Sequence, residues 1–145
     1  MNTQLSSEQI EVYAQRAADY FSRGFNCSQS VVAACAPLFG LDEELALKVS
    51  ASFGGGIGRM RGVCGAASGM FILEGLASGS AVEGDTQAKL ANYTRVRSLA
   101  DDFRQQHGSL ICSELLASHQ KAPCAFMVAN SVRLFLRSLA RVPSV

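Results

Sequence analysis

The sequence predicts an all-α fold, a single-domain irregular bundle of about six or seven helices in which a glycine-rich loop leads into a central buried helix. Three observations predict it. Apolar residues recur at helical spacing in one segment after another, no alternating run of Val, Ile or Thr reads as a strand, and Ser, Asn, Asp or Pro stands ahead of most segments where a helix needs a cap. The 145 residues, 48% hydrophobic and 17% charged, amount to one domain spanning 1–145 with ample material for a core.

The first helix is expected over about Ser7 to Arg23, with Ile10, Tyr13, Ala14, Ala17, Tyr20 and Phe21 on one face, Ser6 and Gln9 as a capping box and Gly24 as the stop. Asn26 with Gln29 starts the second, whose face Cys27, Val31, Ala34, Cys35 and Leu38 runs toward Gly40, and Pro37 shortens its last turn. Asp42 caps a third, predicted to turn Leu45, Val49 and Phe53 inward before Gly54. The fourth repeats Val63, Ala66, Ala67, Met70, Phe71, Leu73 and Leu76, and its Gly65 and Gly69 leave a flat stripe for another backbone. That stripe suits a helix of the same subunit; its alternative use is a homodimer. Asp85 caps a long fifth helix with Tyr93, Val96, Ala100 and Phe103 facing the core, ending at His107 and Gly108. Ser109 caps a short helix through Leu116, and Pro123 opens a last one carrying Met127, Val128, Ser131, Leu134, Phe135 and Leu139.

Several classes of function are disfavoured at once. Thirteen basic against twelve acidic residues leave a net charge of +1, too little to steer nucleic acid. The longest apolar span, Val63 to Leu73, is shorter than the roughly 18 residues of a membrane helix, so no membrane insertion is expected. The first residues lack the charged start, apolar run and cleavage site of an export signal, so the expected location is cytoplasmic. Hydrolase chemistry has no foothold: no Ser, His, Asp pattern or HExxH occurs, His107 and His119 are expected as solvated positions near helix ends, and Asp101 and Asp102 as part of a solvated helix face.

Cysteine placement is the informative feature. The five cysteines are an odd number in a chain without an export signal, which argues against a secreted disulfide framework. Cys27 follows the cap Asn26, Cys64 sits in the early turns after the glycine loop, Cys112 lies three residues after Ser109, and Cys124 follows Pro123. A first helical turn offers free amides and the positive dipole end, which stabilise a thiolate. Cys35 instead shares the inner face of its helix and reads as core. No CxxC pair occurs, and the spacings match no common zinc or ferredoxin pattern, yet four thiolates from different helices form a ligand set for zinc or an iron-sulfur cluster.

The segment Phe53 to Gly62, FGGGIGRMRG, sets Arg59 and Arg61 beside backbone amides ahead of a helix. It is neither GxGxxG nor GxxxxGK[ST]. Its plain reading is a tight loop with glycines at positive φ; its functional reading is an anion or cofactor-phosphate site at Gly54, Gly55, Gly56, Gly58 and Arg59. A further expectation is that its arginines keep Cys64 ionised, making it the most acidic thiol.

These blocks resemble the redox-active protein family named for its C_GCAxxG_C_C cysteine signature. Gly24-Phe25-Asn26-Cys27 is similar to the first block, and Phe53 to Gly69, including Cys64-Gly65-Ala66-Ala67-Ser68-Gly69, to the glycine loop plus the CGAxxG form of the motif. His107-Gly108-Ser109 with Cys112 and Glu114-Leu115-Leu116 resembles the third, and Pro123-Cys124 the fourth. Cys35 has no counterpart in the signature. The resemblance implies four functional cysteines, 27, 64, 112 and 124, in a small helical protein associated with a transport system; it supplies no reaction. The leading expectation is dithiol to disulfide or electron-transfer chemistry with an unidentified redox partner or small molecule. The alternatives are a zinc or iron-sulfur protein on the same cysteines, and a helical interaction module with inert buried thiols.

Overall fold

The computed structural model describes residues 5–118 and 123–139, so the expectation for His119 lies outside the described residues. Seven α-helices form the described chain: α1 (Ser7–Ser22), α2 (Cys27–Cys35), α3 (Glu43–Ser50), α4 (Gly65–Ser78), α5 (Thr86–His107), α6 (Cys112–Ser118) and α7 (Pro123–Leu139). No strand occurs among the described residues; an isolated antiparallel bridge joins Val63 to Ile111.

Local chemistry sets the helix starts. At α1 the Ser6 hydroxyl accepts from the Gln9 amide while the Gln9 side chain accepts from the Ser6 amide, and Asn26 with Gln29 repeats that reciprocal box at α2. Asp42 and Asp85 cap α3 and α5 through Leu45 N and Ala88 N. Pro37, lacking an amide proton, sits in a 3₁₀ turn (Ala36–Phe39) that ends α2 at Cys35. Ser109 does not cap α6 directly: its hydroxyl accepts from Ile111 N and donates to Glu114, and the helix begins at Cys112.

The bundle is organised around α2 and α4. Helix α2 is buried from Ser30 to Cys35 and packs against α1, α3, α4 and α7, while α1 lies along α7. The predicted glycine stripe faces α2 within the subunit. A Cβ at Gly69 would stand 2.9 Å from Val31 Cβ, and one at Gly65 2.9 Å from the Phe53 carbonyl oxygen. The stripe is thus filled by the chain's own helix. Met70 and Leu73 on α4 are fully buried, each contributing about 1.5–3 kcal/mol of apolar transfer. Alongside them Glu74, 1% exposed, accepts from Arg95 Nε at 2.9 Å and from the Ser78 hydroxyl at 2.5 Å.

Four orientations differ from expectation. Leu45 and Val49 are exposed, because the inward stripe of α3 is one position later, at Ala46 and Ser50, whose small side chains admit a close approach to α2. Leu76 is exposed at the end of α4, and Tyr93 is exposed while Leu99, Ala100 and Phe103 carry the buried face of α5. His107 is not a solvated end residue. It is 5% exposed, with its ring 4.5 Å from that of Phe103 and 5.6 Å from that of Phe126, and Nε2 3.1 Å from Asn130 Nδ2. Helix α7 covers the end of α5 and shields the ring from solvent. No helix among the described residues is long and apolar enough to cross a membrane.

Candidate thiol site

The glycine-rich loop is wound left-handed. Gly55, Gly56, Ile57, Gly58, Arg59 and Arg61 all have φ between +56° and +75°. Glycine takes this conformation freely, whereas a residue with a Cβ, and a β-branched Ile above all, is strained in it. The loop holds because its amides close on its own backbone: Ile57 N donates to Phe53 O, Gly58 N to Ser52 O, Arg59 N to Gly54 O, Arg61 N to Gly55 O and Gly62 N to Gly56 O. The expected nest of free amides is therefore absent at residues 57–62. An anion here would meet the arginine side chains instead.

The loop positions two cysteines by having no side chains in their way. A Cβ on Gly56 would fall 2.7 Å from Cys112 Cβ, and one on Gly54 would strike the side chain of Asn26, the residue that caps α2 ahead of Cys27. A Cβ on Gly65 would lie 3.3 Å from Cys27 Cβ. After the loop, Cys64 N donates to Leu110 O and Cys112 N to Gly62 O, both at 2.7 Å, on either side of the Val63 to Ile111 bridge. Alternation along that pairing puts Cys64 and Cys112 on the same face, diagonally opposed. Arg61 then reaches across, with Nη1 3.7 Å from Cys112 Sγ.

Each of the four predicted cysteines stands at the head of a helix: Cys27 first in α2, Cys64 as the residue before α4, Cys112 first in α6 and Cys124 second in α7. All five cysteines are free, and Cys35 is fully buried, its thiol pushed up to about 12 by burial. The four helix-head thiols interact. The acidity of Cys27 is set chiefly by Cys124 and also by Cys64 and Cys112, and that of Cys64 in part by Cys112 and Cys124.

The acidic thiol is Cys124, not Cys64. The hydrogen bond from Cys27, helped by the Arg61 charge and opposed by burial, holds Cys124 down at about 6. The same hydrogen bond, then burial and the three neighbouring thiols, drive Cys27 far above the ordinary thiol range. The two act as one unit that gives up a first proton readily and keeps the second. Burial raises Cys64, offset in part by the Ala67 and Ala66 amides, so the expectation that the loop keeps it ionised is overturned. Arg61 is directed at Cys112 and Cys124 instead.

Beside Cys27 opens a cleft of about 440 Å³, into which Gly54, Gly55, Gly58, Arg59 and Arg61 also face. Of the residues assigned to an anion site, Gly56 alone lies elsewhere, buried against Cys112. Among the described residues no three His, Cys, Asp or Glu groups are arranged to hold a metal ion, so the zinc or iron-sulfur reading gains no support from the donor geometry. Cys27, Cys112 and Cys124 are partly covered, whereas Cys35 and Cys64 are buried.

The described chain is thus an all-α protein with four cysteines at helix heads around a strained glycine loop. The chain belongs to the C_GCAxxG_C_C family, described as "Putative redox-active protein (C_GCAxxG_C_C)", whose model matches residues 25–137. The chain matches no curated protein and no solved structure. The Cys27 to Cys124 partnership and the left-handed Ile57, Arg59 and Arg61 were not evident in the sequence. Only the shared position at helix heads hinted at the first.

Proposed function

We propose that the protein is a thiol-disulfide oxidoreductase in which Cys27 and Cys124 alternate between a dithiol and a disulfide. The reading is supported by the two thiols at the heads of α2 and α7, each setting the other's acidity: Cys124 is held down at about 6 while Cys27 is raised, so one proton leaves near neutral pH and one stays. Cys124, ionised at pH 7, takes up the proton of Cys27 as Cys27 attacks, and then resolves the mixed disulfide. Cys64 and Cys112, on the same face of the bridge, serve as a second dithiol that re-reduces the Cys27 to Cys124 disulfide by thiol-disulfide exchange and is itself oxidised to a disulfide.

The test is oxidation of the reduced chain by a stoichiometric disulfide, followed by alkylation, digestion and mass analysis. A loss of about 2 Da with a peptide linking Cys27 to Cys124 is expected. Oxidation that leaves both residues alkylated, or that links them at no greater yield than Cys35, would overturn the proposal.

A further inference from the structure

The cleft beside Cys27 has the features of a substrate site. Its volume suits a small molecule, and Phe21 supplies an apolar wall. Arg59 and Arg61 bring two positive charges, no acidic side chain lines it, and neither arginine forms a salt bridge among the described residues. Arg61 spans both functions, since it also reaches Cys112. Both arginines are held in left-handed backbone conformations that the loop must sustain against strain, a cost proteins tend to concentrate at functional positions.

We infer that this cleft selects anionic low-molecular-weight disulfides, with a carboxylate of the substrate on Arg59 and Arg61 and its disulfide sulfur at Cys27. Guanidinium forks match carboxylates in geometry and charge. The inference rests on the redox reading above and names its substrate class. In the first step Cys27 sulfur attacks one sulfur of the substrate as its proton passes to Cys124; the substrate S–S bond breaks and one thiolate leaves. Cys124 then gives its proton to the departed thiolate and attacks Cys27 sulfur, expelling the second thiolate. Two electrons move from the cysteine pair to the substrate, and the products are the Cys27 to Cys124 disulfide, one thiol and one thiolate.

The experiment mixes reduced full-length protein with oxidised glutathione, bis(2-hydroxyethyl) disulfide or cystamine, which are anionic, neutral and cationic. Formation of the Cys27 to Cys124 disulfide is timed by acid quench and mass analysis, and each rate is divided by the rate at which the same reagent oxidises dithiothreitol. At low salt the anionic reagent is expected to lead the cationic one by about tenfold, and the lead is expected to collapse at about 0.5 M salt. Arg59→Gln, checked for an unchanged thermal midpoint, is expected to reduce the lead severalfold. Equal normalised rates at low salt, or a lead that Arg59→Gln leaves intact, would overturn the inference. If that variant does not fold, the salt series on the unaltered chain decides. Should none of the three reagents form the disulfide, the redox proposal itself falls, an outcome distinct from oxidation without charge preference.

Discussion

Cys27, the first residue of α2, and Cys124, the second residue of α7, set each other's acidity. Neither thiol has its acidity alone, because the contact that lowers one raises the other.

The first consequence concerns reactivity. In the wild-type chain one thiol should react with iodoacetamide along a titration curve centred near pH 6. Cys27→Ala removes the largest cause of that acidity, so the midpoint should move toward the ordinary thiol value of 9.0, and Arg61→Gln should move it a shorter way in the same direction. An unshifted midpoint in Cys27→Ala would show that the acidity has another source.

Stability of the reduced protein should pass through a maximum near pH 9. Below about pH 6 the native and unfolded pairs both hold two protons. Between about 6 and 9 the native pair has lost one while the unfolded thiols keep theirs, so the unfolded state binds more protons and stability rises with pH. Above 9.0 the unfolded thiols ionise while the raised Cys27 keeps its proton, and stability falls. Thermal midpoints of the wild type should trace this rise and fall, and those of a Cys27→Ala/Cys124→Ala variant should lack the rise between about pH 6 and 9 while keeping the fall above 9.0 that buried Cys35 and Cys64 contribute.

Two glycines of α4 should respond in opposite directions to the same substitution. Gly69→Ala must displace Val31, at an expected loss of about 1–3 kcal/mol. Gly75→Ala meets nothing within 4 Å and should gain about 0.5–1 kcal/mol from helix propensity. Urea midpoints would decide the matter, and equal effects would show that the packing of α4 on α2 is not the constraint described.

The ion pair of Glu74 and Arg95 should show a marked asymmetry. Arg95→Ala strands a carboxylate that is 1% exposed, with an expected cost of about 3 kcal/mol. A Glu74→Leu/Arg95→Leu double variant, which leaves no charge behind, should recover most of that in a denaturant titration.

What could be read from the sequence were features decided within a few residues. The Ser6 and Gln9 and Asn26 and Gln29 boxes form because their partners are three residues apart, and Cys27 at the head of α2 follows from the second of them. Features set by distant packing were not legible. Leu45 and Ala46 compete for the inward position of α3, and the closeness of α2 settles it; His107 is covered only because α7 arrives over the end of α5. In the loop, glycine content announced left-handed turns, but nothing marked Ile57, Arg59 and Arg61 as sharing them, since their conformation is imposed by hydrogen bonds to Ser52 through Gly56. The pairing of Cys27 with Cys124 likewise depends on how α7 crosses the bundle.

Because α7 supplies Cys124 and also packs along α1, the protein's own synthesis protects its chemistry. A nascent chain emerging with α1 through α5 presents Cys27 without Cys124, the thiol that is held acidic beside it. Only when the last helix closes on the first does a thiolate become populated at neutral pH. A chain that stalls or unravels at α7 should therefore react with disulfides only as slowly as ordinary thiols do.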